Sequence, residues 1–192
     1  MRRRPNALVL LLLLLLGLYW GYEHHQTKQY LTTLRPIYHA TDTLQQNLES
    51  IYDLGEGDEQ LIPGQITECE RMQNTLCELK AQLSETIPPT SGAAKAKETL
   101  SFALSELHEY SAAHAQYLKA CLGASQKLKA LASLGKQLDS SHASYSSLAE
   151  YTAALKQAKA ITSQLEEKKE AVSLIRTAFL SKTKKDLDAL WP

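Results

Sequence analysis

Glycine and proline are scarce, at 8 and 6 of 192 residues, and they gather in a few short clusters. These residues are the strongest local breakers, so long unbroken segments are expected between the clusters. Runs of β-branched residues and period-two alternation are missing over any useful length, which excludes a sheet-based fold. The three cysteines, Cys69, Cys77 and Cys121, form no CxxC, CxxCH or zinc spacing, so haem attachment and structural zinc are not expected. They read as small apolar core residues. On one helix Cys69 and Cys77 lie about 12 Å apart, too far to bridge, so any disulfide joins Cys121 to one of them.

A net charge of either sign is absent too. With 21 basic and 21 acidic side chains, no global field attracts a polyanion, and nucleic-acid binding is not expected. Gly-rich phosphate loops, a nucleophile elbow, HExxH and motif-placed carboxylate pairs are all lacking, so neither an enzyme nor a cofactor is expected. Six histidines invite a metal reading. The Glu-x-x-His spacing of metal sites in helical bundles is missing, however: positions 105 and 111 are Ser, and His39 with Asp42 stands alone. No metal is expected.

What the chain does have begins with Arg2, Arg3 and Arg4, followed by Ala7-Leu8-Val9, seven leucines from Leu10 to Leu16, and then Tyr19, Trp20 and Tyr22. This pattern reads as a targeting segment. A cleavable signal peptide needs small residues at −3 and −1, but Gly17 and Gly21 are preceded at −3 by Leu15 and Tyr19, so residues 1–22 read as an uncleaved signal anchor or transmembrane helix. Residues 7–22 make about 24 Å of helix, a little short of the hydrocarbon core unless the arginines snorkel and the aromatics occupy the far interface. The arginines hold the N-terminus in the cytoplasm and leave residues 23–192 extracytoplasmic, in a bacterial envelope.

Beyond the anchor, breakers at Leu54–Gly64, Pro88–Gly92 and, more softly, Asp139–His142 divide the chain into four helices over about 24–53, 64–87, 92–138 and 143–190. The first carries a seam of Leu34, Ile37, Thr41, Leu44, Leu48 and Ile51 in steps of three and four. Pro36 is expected to kink it or to start a new helix, hinging the anchor to the bundle. The second carries Ile66, Cys69, Leu76, Leu79 and Leu83, with Met72 beside them. The third runs Leu100, Leu104, Leu107, Ser111, His114, Leu118, Cys121, Ser125, Leu128, Ala132 and Gly135; the fourth offers Leu148, Tyr151, Leu155, Ala158, Leu165, Val172, Ile175, Phe179 and Leu190. Thr90 or Ser91 is placed to cap the third helix, and Asp139, Ser140 or Ser141 the fourth. The fold expected is all-α: an N-terminal transmembrane helix, then an antiparallel, coiled-coil-like four-helix bundle with two long C-terminal helices. The charge is segregated along the chain, since residues 23–87 hold 4 basic and 11 acidic groups and residues 88–192 hold 14 and 10. The two halves should attract each other.

His114 falls on the apolar seam near Tyr110 and Tyr117, which are seven apart and share a helix face. The ordinary reading is a core histidine with seam-edge tyrosines; the functional reading makes the three a ligand or partner contact. His24 and His25 read as interfacial residues, and Lys182, Lys184 and Lys185 as a solvated helix end. Together these features point to a membrane-anchored structural or adaptor module that contacts another envelope protein or a copy of itself. A sensory or small-ligand-binding bundle, and a chaperone-like holdase, are the alternatives.

Overall fold

The computed structural model describes residues 7–54, 59–140 and 145–191. Among them it is entirely helical: α1 (Ala7–Leu54), α2 (Ile62–Glu85), α3 (Ser91–Ser140) and α4 (Tyr145–Ala178), the last continued by a π-helical turn (Phe179–Thr183) and by α5 (Lys184–Leu190). Arg2–Arg4, Gly55–Asp58 and the break at residues 141–144 lie outside the described residues, as do the side chains proposed to cap α4.

Contacts between distant residues set the topology. Tyr30 Oη lies 2.7 Å from Thr86 Oγ1, so the end of α2 returns to the early part of α1. Ser111 Oγ donates to the Cys69 carbonyl at 3.0 Å, and Lys119 Nζ reaches Glu70 at 2.7 Å, so α3 runs antiparallel to α2. Arg176 on α4 meets Glu49, Lys184 meets Asp42, and Trp191 Nε1 donates to the Leu31 carbonyl. The order is therefore up, down, up, down. The seam of α1 is buried throughout, from Leu34 to Ile51, and in α2 Cys69, Met72, Leu76, Leu79 and Leu83 face the same core. Leu100, Leu104, Leu107, Tyr110 and Leu118 of α3 complete it with Val172, Phe179 and Leu187.

Local chemistry explains most boundaries. Thr90 Oγ1 accepts from the Ala93 N–H at 3.1 Å, the N-cap bond expected for α3. Pro88 and Pro89 stop α2 from continuing, and Lys97 Nζ donates to the Ser84 and Thr86 carbonyls at that end, where carbonyls lack intrahelical partners. Gly92 permits the tight crossing of α1: a Cβ there would meet Thr27 Oγ1 at 3.2 Å.

Several expectations need correction. Pro63 and Gly64 fall within the first turn of α2 rather than before it; proline is tolerated there because that N–H has no intrahelical acceptor. Pro36 neither ends nor restarts α1, which runs as one helix from residue 7 to 54. Its ring lies on the solvent face, and the packed neighbours Leu34 and Ile37 hold the helix on both sides. The leucine-rich segment and the first bundle helix are thus one element. Among the described residues no helix is long and apolar enough to cross a membrane. The C-terminal seam also differs. Leu187 and Thr183 are buried where Leu190 was expected. Eight α-helical residues would place Phe179 and Leu187 about 80° apart; the wider π turn takes up an extra residue and brings both onto the core face. Lys184, expected in solvent, is part-buried and joins Asp42 and Asp188.

The four-helix section ends where α1 does. Past it, residues 123–140 and 145–164 continue as a two-helix arm about 27 Å long. Its seam holds Ala124, Leu131, Leu134 and Gly135 opposite Tyr151, Ala154, Ala158, Ile161 and Leu165, with Gly135 admitting the Tyr151 ring. Leu128, expected on the seam of α3, is instead 47% exposed; Leu148 and Leu155, one heptad apart, are 54% and 38% exposed, and Ala132 is exposed as well.

Candidate functional site

The residues flagged on α3 meet at the end of the four-helix section. His114 and Tyr117 line a cavity of about 310 Å³ together with Ile51 and Tyr52 from α1, Leu118 from α3, and Lys169 and Val172 from α4. Tyr110, one turn earlier on α3, stands behind the wall rather than in it. Ring centroids lie 5.7 Å apart for Tyr52 and His114, 6.4 Å for Tyr110 and His114, and 6.3 Å for His114 and Tyr117, all tilted, while Tyr52 meets Tyr110 edge-on at 6.5 Å. These spacings are those of favourable tilted and edge-to-face aromatic pairs.

His114 is only 3% exposed, and neither Nδ1 nor Nε2 makes a hydrogen bond to another residue. Burial disfavours the imidazolium and pushes the pKa down to about 4, so the ring is neutral near pH 7 with one N–H donor and one acceptor nitrogen. Beside it runs a polar network that the sequence pattern did not reveal. Arg176 donates through Nε and Nη2 to Glu49 Oε2, at 2.8 and 2.5 Å, and its guanidinium lies 4.6 Å from the Tyr52 ring centroid. The Tyr110 hydroxyl adjoins this pair; burial first, and then the Glu49 charge, raise its pKa. Tyr110 Oη and Glu49 Oε1 are both buried without a formed hydrogen bond.

One sequence feature could have flagged this network and was missed: Arg176 is the single arginine among the 14 basic residues of 88–192. A planar guanidinium grips a carboxylate through two N–H groups and stacks on a ring, which an ammonium cannot do. Glu49 carried no such mark, because it lies one position beyond Leu48 in an ordinary polar spacing.

The cysteines divide. Cys69 is buried, with its thiol pushed up to about 11 by burial, Cys121 is half-buried, Cys77 is exposed, and all three are free thiols. Among the described residues no group of three or more His, Cys, Asp or Glu is placed to hold a metal ion. His39 receives a hydrogen bond from Arg35 at 3.3 Å, and His24 stacks on Trp20 at 6.3 Å. No protein-family model, curated protein or solved structure matches this chain.

Proposed function

We propose that the chain is a tethered adaptor of the cell envelope: the N-terminal end of α1 fixes it to the membrane, the four-helix section is a rigid body, and the two-helix arm reaches a protein partner. The exposure of the arm's leucines, Leu128, Leu148 and Leu155, is the observation that carries this reading. Two helices sharing an alanine-rich seam bury little apolar surface, so a third surface laid along the arm removes leucine side chains from water at about 25 cal/mol per Å².

Support for the tether comes from the leucine run, whose members from Leu10 to Leu18 are 51–63% exposed on a helix continuous with the bundle. The apolar stretch is short, so crossing requires the preceding arginines to snorkel and Tyr19, Trp20 and Tyr22 to lie in the opposite interface. That arrangement puts the arm at the end of the molecule farthest from the membrane and the C-terminus near it.

A photoreactive amino acid placed at Leu128, Leu148 or Leu155 of the full-length chain, in its native membrane, tests the adaptor role. The expected result is one reproducible envelope protein, captured from the arm and not from exposed position Phe102 on the bundle. Equal capture from both positions, or none from the arm, would overturn it. Crosslinks between two copies would make the partner the protein itself. Retention of the chain in membranes after alkaline carbonate washing tests the tether, and its release would remove that part.

A further inference from the structure

We infer that the cavity between α1, α3 and α4 is a binding site for a small, uncharged aromatic molecule carrying one hydrogen-bonding group, with His114 as its polar anchor. This site is independent of the tether and of the arm's partner. Three features define it: the cavity of about 310 Å³, the walls, and an imidazole that lines the cavity at 3% exposure with both nitrogens unpartnered.

The size admits a ring system. An apolar cavity of about 150 Å³ accommodates benzene, so this one has room for a bicyclic aromatic and lies at the lower end of the range of small-molecule sites. The walls select an aromatic. Tyr52, His114 and Tyr117 already pack against one another at aromatic pairing distances, and Ile51, Leu118 and Val172 supply aliphatic contact.

Charge considerations favour a neutral ligand. Glu49 and Arg176 neutralise each other beside the site, and burying an unpaired ion is costly. Among the lining side chains, the buried atoms without a partner belong to a neutral group, the His114 imidazole. A neutral imidazole can accept from a ligand O–H or N–H or donate to a ligand oxygen, and a buried polar atom left unpaired penalises the empty site. A phenol or an indole-like N–H heteroaromatic meets this requirement; a pure hydrocarbon of the same shape does not.

The test uses the full-length chain in lipid nanodiscs and two isosteric pairs, 4-methylphenol with 1,4-dimethylbenzene and indole with indene. A ligand that binds only the folded state raises Tm. The polar member of each pair is expected to raise Tm and to bind about tenfold more tightly than its hydrocarbon isostere, the increment of one buried hydrogen bond. In His114→Leu that tenfold preference is expected to vanish, while Val172→Phe, which fills the cavity, is expected to weaken all four probes. No Tm shift with any probe would overturn the site. Equal binding within each pair, or a polar preference that survives in His114→Leu, would overturn the role of His114. Should His114→Leu fail to fold, the ring resonances of the wild-type protein decide. Indole must shift one histidine ring signal and show proximity to tyrosine ring protons; unmoved histidine signals would overturn the assignment.

Discussion

Ion pairs between residues distant in the chain follow its charge segregation: Glu49, Glu70 and Asp42 on helices and Glu59 in the turn before α2 lie in the acidic stretch, and their partners Arg176, Lys119, Lys184 and Lys129 lie in the basic one. Their value differs with solvent. Lys119 and Glu70 have side chains 55% and 51% exposed, where water screens the pair and the long side chains lose entropy. Arg176 and Glu49 are 30% and 17% exposed, and removing the cation strands a carboxylate beside buried Tyr110. Arg176→Ala is therefore expected to cost roughly 2–4 kcal/mol in urea unfolding, and Lys119→Ala less than about 1 kcal/mol; equal losses would show that the buried network does not stabilise the fold. His114 adds a pH dependence. Its pKa falls from 6.5 to about 4 on folding, so between those values the unfolded chain binds the extra proton and stability rises with pH. The contribution is complete above about pH 6.5, shrinks as pH falls toward 4 and levels off below, a total of about 3 kcal/mol. Unfolding free energies from pH 7.5 to 4 should show this slope in the parent and lose it in His114→Gln; an unchanged slope in the variant would assign it elsewhere.

At the scale of elements, steps of three and four located the buried faces of α1 and α2 and of α3 as far as Leu118, because each of those residues meets neighbours on both sides of its stripe. The same arithmetic placed Leu128 on the seam of α3, but in the arm that residue is 47% exposed while Ala124 is buried. Leu107→Ala and Leu118→Ala are expected to cost about 2–5 kcal/mol through lost transfer energy and a residual cavity. Leu148→Ala, on the arm, is expected to change stability by less than about 0.5 kcal/mol. Chemical denaturation measures all three, and a large effect at Leu148 would mean that the arm is covered in the free protein. In the C-terminal helix the periodic reading failed at the π turn, since one widened turn rotates every later residue and nothing in Phe179–Thr183 marks it.

Considered as a whole, the molecule changes in thickness along its length, from one helix at the leucine run, through four, to two in the arm. Local opening free energy follows buried apolar contact. Amide exchange of the full-length chain in nanodiscs should therefore show protected amides around Leu104 and Leu76, and much faster exchange at residues 128–136 and 149–158. Uniform protection along α3 would mean that the arm unfolds only together with the bundle.

The sequence by itself determined the helical class, the main breaks, the choice of Thr90 or Ser91 as the cap of α3, the seams of α1 and α2 and the meeting of His114 with Tyr110 and Tyr117 on one face of α3. All of these rest on residues near each other along the chain, where helical geometry is fixed at 3.6 residues per turn. Tertiary structure alone decided that α1 continues as one helix past Pro36, that the bundle gives way to an arm, that a π turn brings Leu187 into the core, and that Tyr52 joins His114 at one cavity with the Glu49–Arg176 pair beside it. Each of those depends on which helices lie alongside and where each one stops, and residues as far apart as Glu49 and Arg176 become neighbours only when the whole chain has packed.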